Sequence, residues 1–343
     1  MVDFRIDNEA QELEDINLFL PQQSGYHNLI SKVYKNKIFY VKQLVNDEVT
    51  HILPFALISN IILGKKIVSM PFDGSFGGVI ALKRYKIYDG LYNALIQFAQ
   101  NHKVKYIEIR HRGKNTQLKQ MGFLENVSLV ISEVNLKDIC NNRKYLKRKR
   151  KNNKLASKYG VKISITDEPE DMKKFYKIMS LNMRSYGTPM YPYKYFKQIW
   201  STYHSHENMK LIKGTYKGKM VSGLLLLFSG KTAVLKYSAT IQRYISKRLY
   251  PSMKWYAMDL CWQRECETLN MGTSFVDDYG LISAKEGLGA KTLPLVTYSL
   301  NMQGENKPLS YYQNKYKSFI KLWRFLPLRL SQWLGGVFWK WFC

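Results

Sequence analysis

Between Gly272 and Leu300 the sequence reads GTSFVDDYGLISAKEGLGAKTLPLVTYSL, and its residue types are ones that can do chemistry. A strand-like run, Ser274, Phe275 and Val276, meets two adjacent carboxylates, Asp277 and Asp278. A turn with Gly280 is expected next, then Lys285 in the frame AKEGLGAK, then another apolar strand. Strand ends that meet turns suit reactive groups, because the rigid strand positions what the loop exposes. A carboxylate there can accept a proton, and a fixed cation can steady a developing negative charge. A plain β-turn followed by a solvated lysine is the competing reading.

The elements that must position these groups come from the rest of the chain. At 343 residues it exceeds one typical core, so two domains of ordinary size are expected. The hydrophobic share of 45% is that of a globular protein. Against 26 acidic residues stand 53 Lys and Arg, a formal charge of +27. Such a field favours polyanions: nucleic acid, anionic lipid headgroups or phosphate-bearing substrates. Cys140, Cys261, Cys266 and Cys343 lack the close pairing of a zinc site and are too few for a disulfide framework. The histidines form no HExxH-type group, so no metal is expected. The stretch MVDFRIDNEAQELEDINLF is acidic and unlike a signal peptide, and no apolar run reaches the ~18 residues of a membrane span. A reducing, bacterial-type cytoplasm fits these features, and a monomer is expected.

Periodicity divides the chain into two similar halves. In the first, Lys37–Val45 and His51–Leu63 are an expected antiparallel pair, followed by a strand at Lys66–Pro71 and a loop to Gly78. A helix over Tyr88–Asn101 and strands at Tyr106–Arg110 and Asn126–Val134 complete it. In the second, helices at Phe175–Met183 and Tyr193–Trp200 precede a strand at Met209–Tyr216 and a hairpin of Lys219–Phe228 with Thr232–Ser238. A helix starts near Pro251-Ser252, and strands at Thr273–Val276 and Leu293–Leu300 close the unit. This order predicts two α/β domains of one kind, packed side by side, over 1–140 and 159–305.

Two basic stretches flank the second half. Arg143–Lys154 is too cationic to bury, so it is either an exposed connecting helix (141–158) or a cationic wall over a phosphate-bearing substrate or RNA. The tail, 306–343, carries Trp323, Trp333, Trp339, Trp341, Phe319, Phe325 and Phe338 among basic residues. It reads as an amphipathic helix lying in a membrane interface, or as a cap on the second core.

Asp278-Tyr279-Gly280, Lys285 and Gly289-Ala290 together resemble the terminal signature of the FemAB-like group in the GNAT acyltransferase superfamily. Leu288 stands where that group usually has an aromatic residue. SMPFDGSFGG at Ser69–Gly78, FYKIMSLNMRSYGTPMYPYKYF at Phe175–Phe196, LKYSATIQRYISKRLYP at Leu235–Pro251 and Trp323–Leu328 resemble further segments of that group, in the same order. The resemblance implies an α/β (α+β) chain of two tandem GNAT-like domains, each a mixed, mostly antiparallel sheet flanked by helices. It implies an amide-forming N-acyltransferase acting on an amine of a cell-envelope glycan or peptidoglycan precursor. Lys285 would then lie near the reacting carbonyl with Tyr237, and Asp278 would take a proton or simply hold Lys285. Arg184, Tyr186, Tyr191, Arg243, Lys247, Arg248 and Tyr279 would grip the substrate.

The acyl donor stays open among aminoacyl-tRNA, acyl-CoA and acyl carrier protein, as a co-substrate rather than a tightly bound cofactor. No long helical hairpin for tRNA is present, and the loop Gln242–Arg248 lacks the glycines of an acetyl-CoA cradle. The implied partners are a nucleotide- or lipid-linked phosphate-bearing precursor, tRNA if it carries the acyl group, and, through the tail, the inner face of the cell membrane. The alternative from another class is a non-catalytic GNAT-fold module that binds an anionic lipid-linked glycan or RNA. Convergence of Asp278, Lys285, Tyr237 and Arg184 on one cleft would favour the enzyme.

Overall fold

The two halves open their sheets with the same kind of turn. Asn46 and Asp47, with φ of 51° and 65°, reverse the chain between β2 (Lys37–Val45) and β3 (Glu48–Asn60). Lys217 and Gly218, with φ of 49° and 75°, do so between β9 (Met209–Tyr216) and β10 (Lys219–Ser229). Two consecutive left-handed residues give a hairpin whose twist matches its strands, which is why Asn, Asp and Gly are found there. The computed structural model describes residues 1–9, 11–13, 22–60, 64–70, 77–247, 249–304 and 322–342.

Before β2 lie β1 (Val2–Asp7) and α1 (Ser24–Tyr34); after β3 come β4 (Gly64–Val68), β5 (Ile80–Ala81), α2 (Asp89–Asn101), β6 (Val104–Arg112), α3 (Thr116–Gln120) and β7 (Leu124–Asn135). Short α4 (Leu136–Cys140) and basic α5 (Arg143–Lys158) lead to β8 (Val161–Thr166), α6 (Pro169–Tyr186) and α7 (Tyr193–Tyr203). Beyond β10 follow β11 (Thr232–Thr240), α8 (Leu249–Gln263), β12 (Thr268–Phe275), α9 (Tyr279–Glu286), β13 (Lys291–Asn301) and α10 (Leu328–Phe342).

All thirteen strands form one sheet, and this changes the side-by-side picture. Its order is β1-β2-β3-β4-β6-β13-β7-β12-β11-β10-β9-β8, with β5 paired to β3. The last strand of the second half, β13, returns to the first and sits between β6 and β7, antiparallel to both. Leu295 through Ser299 are all buried, so this strand needs neighbours on both edges and cover on both faces. Helices α1, α6 and α7 cover one face of the second half, and α4, α5 and α8 cover the other.

Helix α1, strand β1 and helix α9 are among the elements that the sequence did not announce. Helix α1 opens without a side-chain cap and carries Gly25, so its start signal is weak. Strand β1 holds the sheet edge beside β2. Where a turn at Gly280 was expected, Asp278 Oδ1 accepts from Leu281 N at 3.0 Å and starts α9. Lys285 therefore stands in the last turn of a helix, and no loop exposes it.

Helix α10 packs along α6 rather than standing free. Trp339 Nε1 donates to Pro189 O at 3.0 Å, and Gln332 Nε2 to Ser180 Oγ at 2.9 Å. A Cβ on Gly335 would lie 2.2 Å from Met190 O, so only glycine allows this approach. Trp339 thus caps the second core and Trp323 is buried, while Trp333 and Phe325 face out. A chain cut near Tyr316 would uncover Met190 and Tyr191, so the tail belongs to the second core. Phe319 and Cys343 lie outside the described residues, and no described helix is long and apolar enough to cross a membrane.

Candidate active site

The site begins with a fault in the sheet. Strands β11 and β12 run parallel and pair only at Thr232–Thr268, Ala233–Leu269 and Val234–Asn270. Beyond that point each strand carries a bulge. In β11 Lys236 is the extra residue, because Leu225 and Leu226 of β10 oppose Tyr237 and Leu235. In β12 Met271 and Gly272 together oppose the single Ser132 of β7, and Gly272 takes φ 75° to do it. Bulges bend strands and break ladders, so β11 and β12 splay into a V.

Lys285 fills part of the gap that this leaves. Its ammonium donates to Gly272 O at 2.9 Å, Thr273 O at 3.0 Å and Ser274 Oγ at 2.9 Å. All three protons are spent, two on backbone carbonyls of β12 at its bulge and one on a side-chain hydroxyl of the same strand. The side chain is buried, and burial pushes its pKa down to about 8, helped by the charge of Lys254 and opposed by Asp278.

Lys254, on the buried face of α8, was not singled out from the sequence. Burial pushes it down to about 8 as well. Among the described residues its ammonium makes no hydrogen bond and rests on the ring of Tyr250, 4.1 Å from the centroid. Tyr250 in turn hydrogen-bonds Ser238 on the free edge of β11. The splay therefore holds two like charges, one saturated and one without an acceptor. A buried, uncompensated cation is expensive, and perturbed titration of that kind gathers at functional sites. The sequence signal was a lone lysine between Met253 and Trp255 on an apolar helix face.

The bulge at Lys236 has a second effect: it turns Lys236 and Tyr237 toward the same side of the sheet. Lys236 Nζ donates to Tyr26 Oη at 3.1 Å, Tyr26 Oη lies 3.5 Å from Tyr195 Oη, and Tyr237 Oη donates to Tyr195 Oη at 3.2 Å. Tyr26 comes from α1 of the first half, so the chain of hydroxyls ties the halves together. Tyr191 packs on Tyr237, 5.6 Å between centroids, and Trp339 stacks on Tyr191 at 4.2 Å.

The residues expected in one cleft thus stand in two groups. Lys285, Asp278 and the unforeseen Lys254 meet at the splay; Tyr237 and Tyr191 meet in the tyrosine network. Arg184 belongs to neither, since its Nη1 donates to Leu326 O at 3.2 Å and holds the tail. Tyr186 and Tyr279 are exposed. Arg243 lies over Tyr244, and Lys247 over Tyr159 and Tyr216, on the 3₁₀ turn before α8. That turn forms no glycine-lined backbone cradle, so phosphate there would be met by side chains. Arg248 and residues 71–76 of the first-half loop lie outside the described residues.

Residues 141–279 match the family model described as an acetyltransferase (GNAT) domain. No curated protein matches the sequence. Among solved structures the chain is similar to FemX, at 15% identity and TM-score 0.64 over 88% of this chain and 94% of that one. It is similar to a tandem GNAT protein from the clavulanic acid biosynthesis pathway, at 8% identity and TM-score 0.56 over 89% and 100%. A third is the C-terminal domain of a putative lysylphosphatidylglycerol synthetase from Agrobacterium fabrum, at 11% identity and TM-score 0.56 over 87% and 91%. At such identities the likeness is one of fold. The chain has the tandem GNAT fold, and its residues 141–279 match an acetyltransferase (GNAT) domain.

Proposed function

We propose that this acyltransferase joins an acyl or aminoacyl group to an amine of a phosphate-bearing cell-envelope precursor, as the resemblance to the FemAB-like group suggests. The observation that supports it most is the ammonium pair in the splay of the GNAT domain. Amide formation places negative charge on the carbonyl oxygen, and a fixed positive field there lowers the barrier. The acceptor's ammonium first loses a proton. Its nitrogen then attacks the carbonyl carbon, the C–N bond forms, and the ester or thioester bond to the donor breaks.

Within that reading Lys285 supplies charge rather than a hydrogen bond, because its protons are committed to Gly272, Thr273 and Ser274. Burial lowers Lys254 to about 8, so its free-amine form is within reach near neutral pH. That form is suited to take one of the acceptor's two protons and give it to the leaving group, the other going to solvent. Asp278 holds α9, and through it Lys285, in place. Aminoacyl-tRNA, acyl-CoA and acyl carrier protein remain the candidate donors.

Mass spectrometry of envelope precursors from a deletion strain tests the proposal. Loss of the mass of one acyl or aminoacyl group, restored by the wild-type chain but not by Lys254→Met, is expected. Precursors identical in the two strains would overturn it.

A further inference from the structure

A groove runs between α10 and the helices beneath it, away from the splay. Its main lobe of about 620 Å³ is floored by Tyr34, Tyr176, Tyr193 and Trp333, and Gly336 leaves room at its base. A second lobe of about 350 Å³ shares Tyr176, Tyr193 and Arg329, so the two are continuous. The rim is cationic, with Lys173, Lys177, Lys194 and Arg329, and no carboxylate lines either lobe among the described residues. The nearby acid Glu170 is already paired with Lys173 at 2.5 Å.

Trp333 of the groove, and Leu322 and Phe325 in the turn that leads into α10, are large apolar side chains exposed beyond what a water-facing surface needs. Phe325 is 85% exposed, Leu322 66% and Trp333 65%. Aromatics that stand out of a cationic, carboxylate-free surface match the interfacial zone of a bilayer, where rings sit at headgroup depth and ammonium or guanidinium groups meet phosphates. An RNA strand would ask instead for a row of stacking rings along a groove open to bases.

We infer that this face docks on an anionic phospholipid bilayer, with one acyl chain entering the groove and its phosphate held by Arg329, Lys177 and Lys194. Charge complementarity selects the lipid: apolar floor, cationic rim, no acid. The inference goes beyond acyl transfer and does not depend on it, since binding is read without turnover.

Sedimentation with vesicles of phosphatidylcholine, alone or mixed with phosphatidylglycerol, tests it on the full chain. Wild type should bind the mixed vesicles, release as salt rises, and bind the neutral ones weakly. Lys177→Glu with Arg329→Glu, and separately Trp333→Ala with Phe325→Ala, should each weaken binding about tenfold. These side chains are exposed or on the rim, so thermal melts should match wild type. The net charge alone attracts anionic surfaces, so Lys151→Glu with Lys154→Glu on α5 is the control and should cost far less. Absent wild-type binding to mixed vesicles would overturn the inference. So would an equal loss from the α5 control, or groove variants that lose RNA binding while keeping vesicle binding.

Discussion

The sheet contains two parallel strand pairs, β4 with β6 in the first half and β11 with β12 in the second, and they end differently. In the first, pairing runs from Lys65 to Val68, and Ser69 extends it: its N–H donates to Glu108 O at 2.8 Å, and its Oγ accepts from Arg110 N at 3.0 Å. Glu108 and Arg110 form an ion pair of 2.7 Å there, so charge is balanced. In the second, pairing stops after three residues and the gap holds Lys254 and Lys285. One joint is closed and neutral, the other open and positive. Repeated folds can keep one copy for support and leave strain, bulges and unpaired charge in the other, where function tolerates their cost.

The largest expected effect comes from emptying the open joint of its structural cation. Lys285→Met would leave Gly272 O, Thr273 O and Ser274 Oγ without their donor, at about 1–3 kcal/mol each where water cannot replace it. Urea unfolding should therefore show a loss of several kcal/mol. A midpoint equal to wild type would show that Lys285 does not close the gap.

Lys254→Met should do the opposite. Replacing a buried cation that lacks an acceptor with an apolar side chain of similar length is expected to leave stability unchanged or raise it by about 1–4 kcal/mol. Turnover should fall about a hundredfold or more if the proton passes through this nitrogen. A variant that is less stable and fully active would assign Lys254 to the core alone.

How much of this was legible in the sequence follows from the range of the forces involved. Two hairpins were readable because Asn46-Asp47 and Ser229-Gly230 mark their turns locally, while the one at Lys217-Gly218 was not singled out. The helix α8 follows from the start signal at Pro251-Ser252, and strands β9 to β11 from periodicity. The exchange of β13 was not readable, because Leu295–Ser299 announce only that the strand is central, not which strands flank it. The site was half legible. Lys285 stood out by its frame, but two of its acceptors lie at the β12 bulge. Lys236 signals no bulge in sequence, and Gly272 does so only once the strand is seen to begin at Thr268, before it. Lys254 looked like one more cation in a basic chain, and its meaning comes from burial. Arg184 was expected to meet a phosphate and instead meets the carbonyl of Leu326, a contact 142 residues away in the chain.

The pH dependence of stability follows from the same pair. Both lysines have folded-state values near 8, against about 10.4 in an unfolded chain. Between these values the unfolded state holds the protons and the folded state has released them, so stability rises with pH through that window. Each lysine adds about 1.4 kcal/mol per pH unit at most. Denaturation measured from about pH 8 to 9.5, below the ordinary titration of tyrosine, should show the rise, and Lys254→Met should remove about half of its slope. A flat profile in wild type would mean that the two ammoniums are not desolvated.

The smallest effect belongs to the closed joint. Ser69→Ala removes the hydroxyl that accepts from Arg110 N and leaves the N–H of Ser69 itself, donated to Glu108 O, untouched. Ser69 is fully buried, but the bond it makes to Arg110 is only part-buried, so water can take over some of the lost partner. A loss of about 1 kcal/mol is expected, with turnover unchanged because no reacting group touches this joint. The comparison sharpens if the variant melts slightly lower at full activity. It breaks if the same change impairs turnover, since the first half would then do more than support the second.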